Sequence, residues 1–100
     1  MSTHTPFTIT REDRGDGAGQ LILTQDGVRL GALDFHDLSG GPIYIEFVEV
    51  SPSRRGTGLG KRLVEAAVAW ARESQRKIVP VCSYARIVID RDEALQDVLK

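Results

Sequence analysis

The chain has 100 residues, of which 41% are hydrophobic and 27% charged, and its formal net charge is -1 at pH 7. This length predicts a single domain over residues 1–100, with no room for a separate substrate domain. The nearly balanced charge supplies no basic field for gripping a polyanion, so we expect no nucleic-acid partner.

The first half of the chain predicts antiparallel strands. Apolar and polar residues alternate over short stretches that end in turn residues, which is the pattern of half-buried strands. Between the second and third stretches, Asp26 and Gly27 predict a tight hairpin because both tolerate positive φ. The four predicted strands are residues 7–12, 20–24, 28–35 and 43–50.

The fourth predicted strand contains a break in its alternation. Phe47 and Val48 are adjacent apolar residues in a segment that otherwise alternates. An extra residue in one strand of a pair, a β-bulge, leaves such a break. We therefore predict a bulge at Phe47 and Val48.

In the second half of the chain the hydrophobic period changes. From Leu59 onward the apolar residues fall on one helical face and the charged residues on the other, which predicts a helix over about residues 58–75. A compact β-branched run at 77–81 predicts a buried strand. Residues 84–89 fit either a short helix or an extension of that strand, and 91–99 predict a final amphipathic helix.

This order of elements predicts the fold class. A strand, a helix and a further strand joined by short connections predict a parallel pair, residues 43–50 beside 77–81, with a right-handed crossover. The earlier strands are joined by tight turns and pair antiparallel. The prediction is an α+β fold, a mainly antiparallel sheet with one parallel strand pair joined by a crossover helix.

A glycine-rich segment lies between the fourth strand and the best helix. Gly56, Gly58 and Gly60 alternate there, directly after Arg54 and Arg55. The first N–H groups of a helix lack partners and carry partial positive charge, and the absence of Cβ atoms lets a phosphate approach them. Guanidinium groups suit phosphate oxygens. We expect an anionic ligand at this loop.

Two common phosphate-binding motifs do not fit the segment. A Walker A loop has Ser or Thr after its lysine, whereas Arg62 follows Lys61. The dinucleotide fingerprint has a wider glycine spacing and an acidic residue after the second strand, whereas that strand here ends at Val81 and Cys82. A turn that binds nothing is the remaining alternative, although a plain turn rarely has three glycines with two arginines.

The run Arg-Gly-Thr-Gly-Leu-Gly at residues 55–60 resembles the acetyl-CoA loop, Gln/Arg-x-x-Gly-x-Gly/Ala, of the GNAT N-acetyltransferase superfamily. Together with Val-Pro-Val-Cys-Ser-Tyr-Ala at 79–85 it is similar to very small stand-alone GNAT-like proteins with a cysteine after the cofactor helix and strand. The resemblance covers about residues 20–99. One departure is Phe47-Val48, where such relatives often have His-Thr.

The resemblance implies a splayed parallel strand pair with the pantetheine arm of acetyl-CoA or coenzyme A between the strands. The fourth strand would pair with the pantetheine through its backbone, and the loop N–H groups would hold the pyrophosphate. The implied cofactor-binding residues are Val48, Val50, Arg54, Arg55, Gly56, Thr57, Gly58, Leu59 and Gly60.

The implied activity is transfer of an acetyl group to an amine of a small molecule or a protein. Larger GNAT enzymes use a carboxylate on the strand before the loop and a tyrosine as acid, which implies Glu49, ahead of Glu46, and Tyr84. Cys82 could instead take the acyl group as a thiolate, or it could only pack. The alternative function is a non-catalytic acyl-CoA-binding or sensing module.

The remaining features exclude several classes of protein. The apolar stretches are far shorter than the ~20 residues that cross a bilayer, and residues 1–6 form no secretory signal, so we expect no membrane partner. Cys82 is the only cysteine, and His4 and His36 stand at no metal-ligand spacing, so we expect no metal. The lone cysteine fits the reducing cytoplasm. We expect a monomer or weak homodimer, and the acceptor amine is not identified.

Overall fold

A five-stranded mixed sheet in the order β1-β2-β3-β4-β5 organises the chain. The computed structural model describes residues 6–37 and 40–100. Two α-helices and two 3₁₀ helices accompany the sheet. The elements are β1 (Thr8–Gly15), β2 (Ala18–Gln25), β3 (Val28–Asp37), β4 (Ile43–Val50), a 3₁₀ helix (Pro52–Arg54), α1 (Leu59–Glu73), β5 (Ile78–Pro80), α2 (Ser83–Asp90) and a second 3₁₀ helix (Glu93–Val98).

The pairing of the strands confirms the predicted fold class. β1 to β4 pair antiparallel with their neighbours, whereas β5 runs parallel to β4 over three residue pairs that begin with Ile43 and Ile78. The predicted hairpin between β2 and β3 is also present, with Asp26 at φ 53° and Gly27 at φ 75°. The run Ser-Gly-Gly-Pro at 39–42 predicts a turn before β4, and the first of these residues lies outside the described residues.

The core lies between one face of the sheet and α1. Apolar residues of α1 at helical spacing, including Leu63 and Ala67, are fully buried against β2, β3 and β4. Trp70 packs edge-on against Phe35 with 4.8 Å between ring centroids, and the Arg11 guanidinium lies 4.5 Å above the Trp70 ring. This packing sets the position of α1, and with it the N-terminus that faces the functional site.

The bulge in β4 lies one residue earlier than predicted. Phe47 pairs with Asp34 and Ile45 pairs with Phe35, so Glu46 is the extra residue. The prediction at Phe47 and Val48 was wrong by one position because Val48 packs against the core, as Ile45 does. The side chains of β4 therefore change faces at Glu46. Sequence alternation alone does not decide whether the extra residue is Glu46 or the next residue, Phe47.

The C-terminal segment also differs from the prediction. Residues 84–89 belong to a helix, α2, but the amphipathic helix predicted at 91–99 is a 3₁₀ helix, Glu93–Val98, followed by a parallel bridge from Leu99 to Ile78. Leu95 and Val98 are the buried residues of this segment. Their spacing of three matches the 3₁₀ period, so both can face the core without an α-helical turn.

Candidate active site

The parallel strands β4 and β5 separate at the bulge. Their pairing ends at Ile45 and Pro80, and the next two N–H groups, of Val81 and Cys82, both donate to the Ile45 carbonyl oxygen at 2.9 and 3.0 Å. The chain then turns into α2. Residues 47–50 of β4 keep their pairing with β3 but have no β5 partner, so this edge of β4 borders an open cleft.

The N-terminus of α1 lies at the mouth of this cleft. Gly58 is its N-cap, with φ 85°, no side-chain cap and no acidic residue in the first turn. The first backbone bond runs from Arg62 N–H to the Gly58 carbonyl at 3.1 Å. Within residues 6–37 and 40–100, the N–H groups of Leu59, Gly60 and Lys61 therefore have no backbone acceptor.

Two of the loop glycines, Gly56 and Gly58, have a backbone conformation that favours glycine. Their φ angles are 80° and 85°. A Cβ on either would meet nothing within 4 Å, so the space in front of them is open. Arg54 and Arg55 are exposed, and neither guanidinium lies within ion-pair distance of a carboxylate among the described residues. The unpaired N–H groups of α1 and the positive charges of Arg54 and Arg55 thus lie at the same loop.

The open edge of β4 and the glycine loop enclose one cavity of about 660 Å³. This volume suits an extended ligand with a phosphate-bearing end, because backbone donors line one side and the helix N-terminus closes the other. The lining residues are Phe47, Val48, Glu49, Val50, Pro52, Arg54, Arg55, Gly56, Gly58, Leu59, Gly60 and Tyr84.

Residues 20–98 match the model of the GCN5-related N-acetyl-transferase family. The chain belongs to this family, abbreviated GNAT. A comparison with curated proteins returns no match.

Seven solved chains resemble this GNAT chain, including the following two. The ribosomal-protein-alanine N-acetyltransferase from Brucella melitensis biovar Abortus 2308 has a TM-score of 0.62 at 25% identity, over 75% of this chain and 62% of that one. A GNAT-family protein from Desulfovibrio desulfuricans has a TM-score of 0.58 at 21% identity, over 64% of this chain and 43% of that one, and supports the fold. The chain therefore spans less than two thirds of either structure.

The sequence-predicted cofactor residues of the GNAT loop lie together. All of them line the cavity except Thr57. The Thr57 hydroxyl donates to the Arg54 carbonyl, and its N–H donates to the same oxygen at 3.3 Å. Thr57 thus braces the loop. Binding of a cofactor by these residues stays a prediction.

The two candidate bases on β4 differ in position. Glu49 lines the cavity, and its Oε1 lies 3.6 Å from Nη2 of Arg29, with both side chains about half exposed. Glu46 occupies the bulge and does not line the cavity. Because Val48 and Val50 pack against the core, Glu49 projects from the opposite face of the sheet, as Phe47 does.

Tyr84 lies against the first turn of α1. A Cβ on Gly60 would lie 2.6 Å from the Tyr84 hydroxyl oxygen and 2.9 Å from two ring carbons. The third glycine of the loop thus leaves room for the tyrosine ring where it lies. Sequence reasoning missed this contact, although a glycine inside a helix is a signal for a close approach.

Cys82 stands apart from the other candidates. It is the N-cap residue of α2, half-buried and packed against the core, and it does not line the cavity.

Phe47 and Pro52 line the cavity but were not among the predicted site residues. Phe47 is 52% exposed, which is unusual for a large apolar side chain. The sequence pattern identified Phe47 only as a residue of the strand.

No group of three or more potential metal ligands occurs in the part of the chain that the structure describes. His4 lies outside those residues. Likewise, no helix over residues 6–37 and 40–100 is long and apolar enough to cross a bilayer.

Proposed function

We propose that the chain is an acetyl-CoA-dependent N-acetyltransferase that moves an acetyl group to an amine of a small molecule or a protein. The observation that carries the proposal is the joining of a free strand edge to an uncapped helix N-terminus in one cavity. Membership of the GNAT family supports the same activity.

The residues of the cavity fit the parts of acetyl-CoA. Gly56 and Gly58 leave open space before the first-turn N–H groups, and Arg54 and Arg55 add positive charge, so a pyrophosphate suits this end. The backbone of β4 residues 46–50 offers unpaired polar groups to the amides of a pantetheine arm. The edge of β4 thus holds the pantetheine arm and orients the thioester that it carries.

Bound acetyl-CoA supplies an acetyl thioester, whose carbonyl carbon forms a bond with the acceptor nitrogen as the carbon–sulfur bond breaks and the thiolate takes a proton. Glu49 is the residue that accepts the proton lost by the amine, since its carboxylate lines the cavity. The amine reaches Glu49 by displacing Arg29, whose half-exposed ion pair with Glu49 costs little to break.

Direct attack by the amine is favoured over an acyl-cysteine intermediate. Cys82 packs against the core outside the cavity, so its sulfur is not presented to a ligand bound there. Tyr84 is the residue that sequence reasoning assigned to protonation of the thiolate, and its contact with Gly60 favours a binding role.

A non-catalytic acyl-CoA-binding or sensing module is the second candidate. The arrangement that favours it is the Arg29–Glu49 ion pair, which neutralises the candidate base, beside an exposed Phe47. Such a module would bind coenzyme A but release no thiol from acetyl-CoA in the presence of amines.

A calorimetric titration with coenzyme A, followed by thiol release from acetyl-CoA with a panel of primary amines, tests the proposal. We expect binding, amine-dependent thiol release, and a fall in turnover of about 10²–10⁴-fold for Glu49→Gln with the affinity retained. Glu46→Gln is the matched control, because that carboxylate lies three residues away outside the cavity. Binding without thiol release from any amine would favour the sensing module.

Three further sequence-based expectations accompany this proposal. Residues 1–100 would fold as one domain, act as a monomer or weak homodimer, and work in the cytoplasm with acetyl-CoA as partner. The lone cysteine supports the compartment, because it excludes an internal disulfide framework. Analytical ultracentrifugation of the full chain would test the oligomeric state.

A further inference from the structure

The contact between Tyr84 and Gly60 joins the N-terminal turns of the two helices. Tyr84 is the second residue of α2, and Gly60 is the second residue of α1. Any side chain at Gly60 would meet the tyrosine ring at 2.6–2.9 Å. The phenol oxygen is therefore held beside the first-turn amides of α1.

The Tyr84 hydroxyl has no hydrogen-bond partner in the part of the chain that the structure describes. The side chain is 42% exposed and lines the cavity. A phenol O–H is both donor and acceptor. Beside Gly60, this hydroxyl adds one donor to the unpaired N–H groups of the helix N-terminus.

The cleft has two distinct ends. Its closed end is at Ile45, where β4 and β5 part, and its open end is at Val50, where the chain turns into the glycine loop. Five strand residues place these ends roughly 16 Å apart. If the pyrophosphate lies at the loop, the pantetheine arm runs from there along the free edge of β4. The Tyr84 hydroxyl lies beside Gly60, at the loop end.

We propose that the Tyr84 hydroxyl donates a hydrogen bond to the pyrophosphate of coenzyme A and so positions the cofactor, a role that rests on the proposed function. Tyr84 then works with the N–H groups of Leu59 and Gly60, and the glycine at position 60 leaves room for the ring to lie there. Protonation of the leaving thiolate falls to solvent or another group.

Tyr84→Phe separates this role from acid catalysis and from packing. Phenylalanine keeps the ring on Gly60 and removes only the hydroxyl. We expect the affinities for coenzyme A and for ADP, the latter measured by competition against coenzyme A, to fall together by about tenfold, as for a hydrogen bond to a charged group. In acetyl-CoA kinetics the loss should appear in the KM for acetyl-CoA, and the pH profile of kcat should keep the shape of the parent's.

Tyr44→Phe is the matched control, because Tyr44 is the only other tyrosine and does not line the cavity. We expect its affinities to equal those of the parent. An unchanged ADP affinity in Tyr84→Phe would overturn the proposal. In that case a lower kcat with an altered pH profile would identify a general acid, and unchanged kinetics would leave the ring a packing role alone. Failure of the parent chain to bind coenzyme A would instead count against the proposed function itself.

Discussion

The two ends of helix α1 differ in how their polar groups are satisfied. At the C-terminal end, Ser74 donates to the Trp70 carbonyl through both its N–H and its hydroxyl, at 3.0 and 2.6 Å, and Arg76 N–H donates to the Ala71 carbonyl at 2.8 Å. At the N-terminal end, Gly58 provides no side-chain cap. One end is closed by the chain itself, and the other is left open.

The arginines near the two ends show the same difference. Near the C-terminal end, Arg72 donates to the Asp97 carboxylate and the Ala94 carbonyl, and Arg76 pairs with Asp37. Before the N-terminal end, Arg54 and Arg55 have no ion pair among the described residues. Residues of the same type thus stabilise the fold at one end and remain available to an anion at the other. The N–H and guanidinium donors at the N-terminal end of α1 are therefore available to a ligand.

The largest predicted effect comes from a side chain placed on the open end. Gly58→Val puts a branched Cβ in front of the first-turn N–H groups, and we expect it to abolish detectable coenzyme A binding in calorimetry. The positive φ of 85° adds backbone strain of about 1–3 kcal/mol, which lowers the free energy of unfolding.

Gly27→Val separates strain from binding. Gly27 has φ 75° and equally open surroundings, but it lies in the β2–β3 turn, outside the cavity. We expect a similar loss of stability and unchanged coenzyme A binding. Parent-like binding by Gly58→Val would show that the pyrophosphate is not held at this loop.

Alanine substitutions of an arginine near each end of α1 are expected to have effects of intermediate size. Arg55→Ala should weaken coenzyme A binding by ~1.5–3 kcal/mol, with the larger value at low salt, and leave the denaturant midpoint unchanged. Arg72→Ala should do the reverse, since Arg72 serves the C-terminal 3₁₀ helix. Unchanged affinity of Arg55→Ala at low salt would remove Arg55 from the site.

The smallest predicted effect is a dependence of stability on pH. The hydrogen bond from Arg72 holds the pKa of Asp97 below the ordinary value of 3.8 for an aspartate. Because the folded pKa is lowered, the stabilisation is present above pH 3.8 and is lost as pH falls through the folded pKa. Urea unfolding of the parent and of Arg72→Ala between pH 5 and 2 measures this. Both side chains are exposed, so the difference should be small, and parallel curves would contradict the assignment.

The elements that depend on local pattern were predictable from sequence. The bounds of β4 agree with the prediction, and α1 differs by one or two residues at each end. The residues that line the cavity were identified apart from Phe47 and Pro52. Hydrophobic period and glycine placement carry this information, since both act within a few residues of the chain.

The features that sequence reasoning missed depend on contacts between distant segments. The bulge at Glu46 is set by which residues of β4 pack against α1. The Arg29–Glu49 ion pair and the Tyr84–Gly60 contact each join two elements whose relative position is fixed by the whole core. Cys82 is adjacent to the cleft in sequence, yet its side chain packs against the core beside it.

We propose that the open N-terminal end of α1 and the free edge of β4 bind coenzyme A. A titration of the ¹⁵N-labelled chain with coenzyme A, followed by amide chemical shifts, tests this proposal residue by residue. We predict that the largest shifts occur at Gly56, Gly58 and Gly60, with smaller shifts along residues 47–50 and none at Gly27 or at the C-terminal end of α1. Shifts centred on that other end, or an unperturbed glycine loop at saturation, would contradict the account.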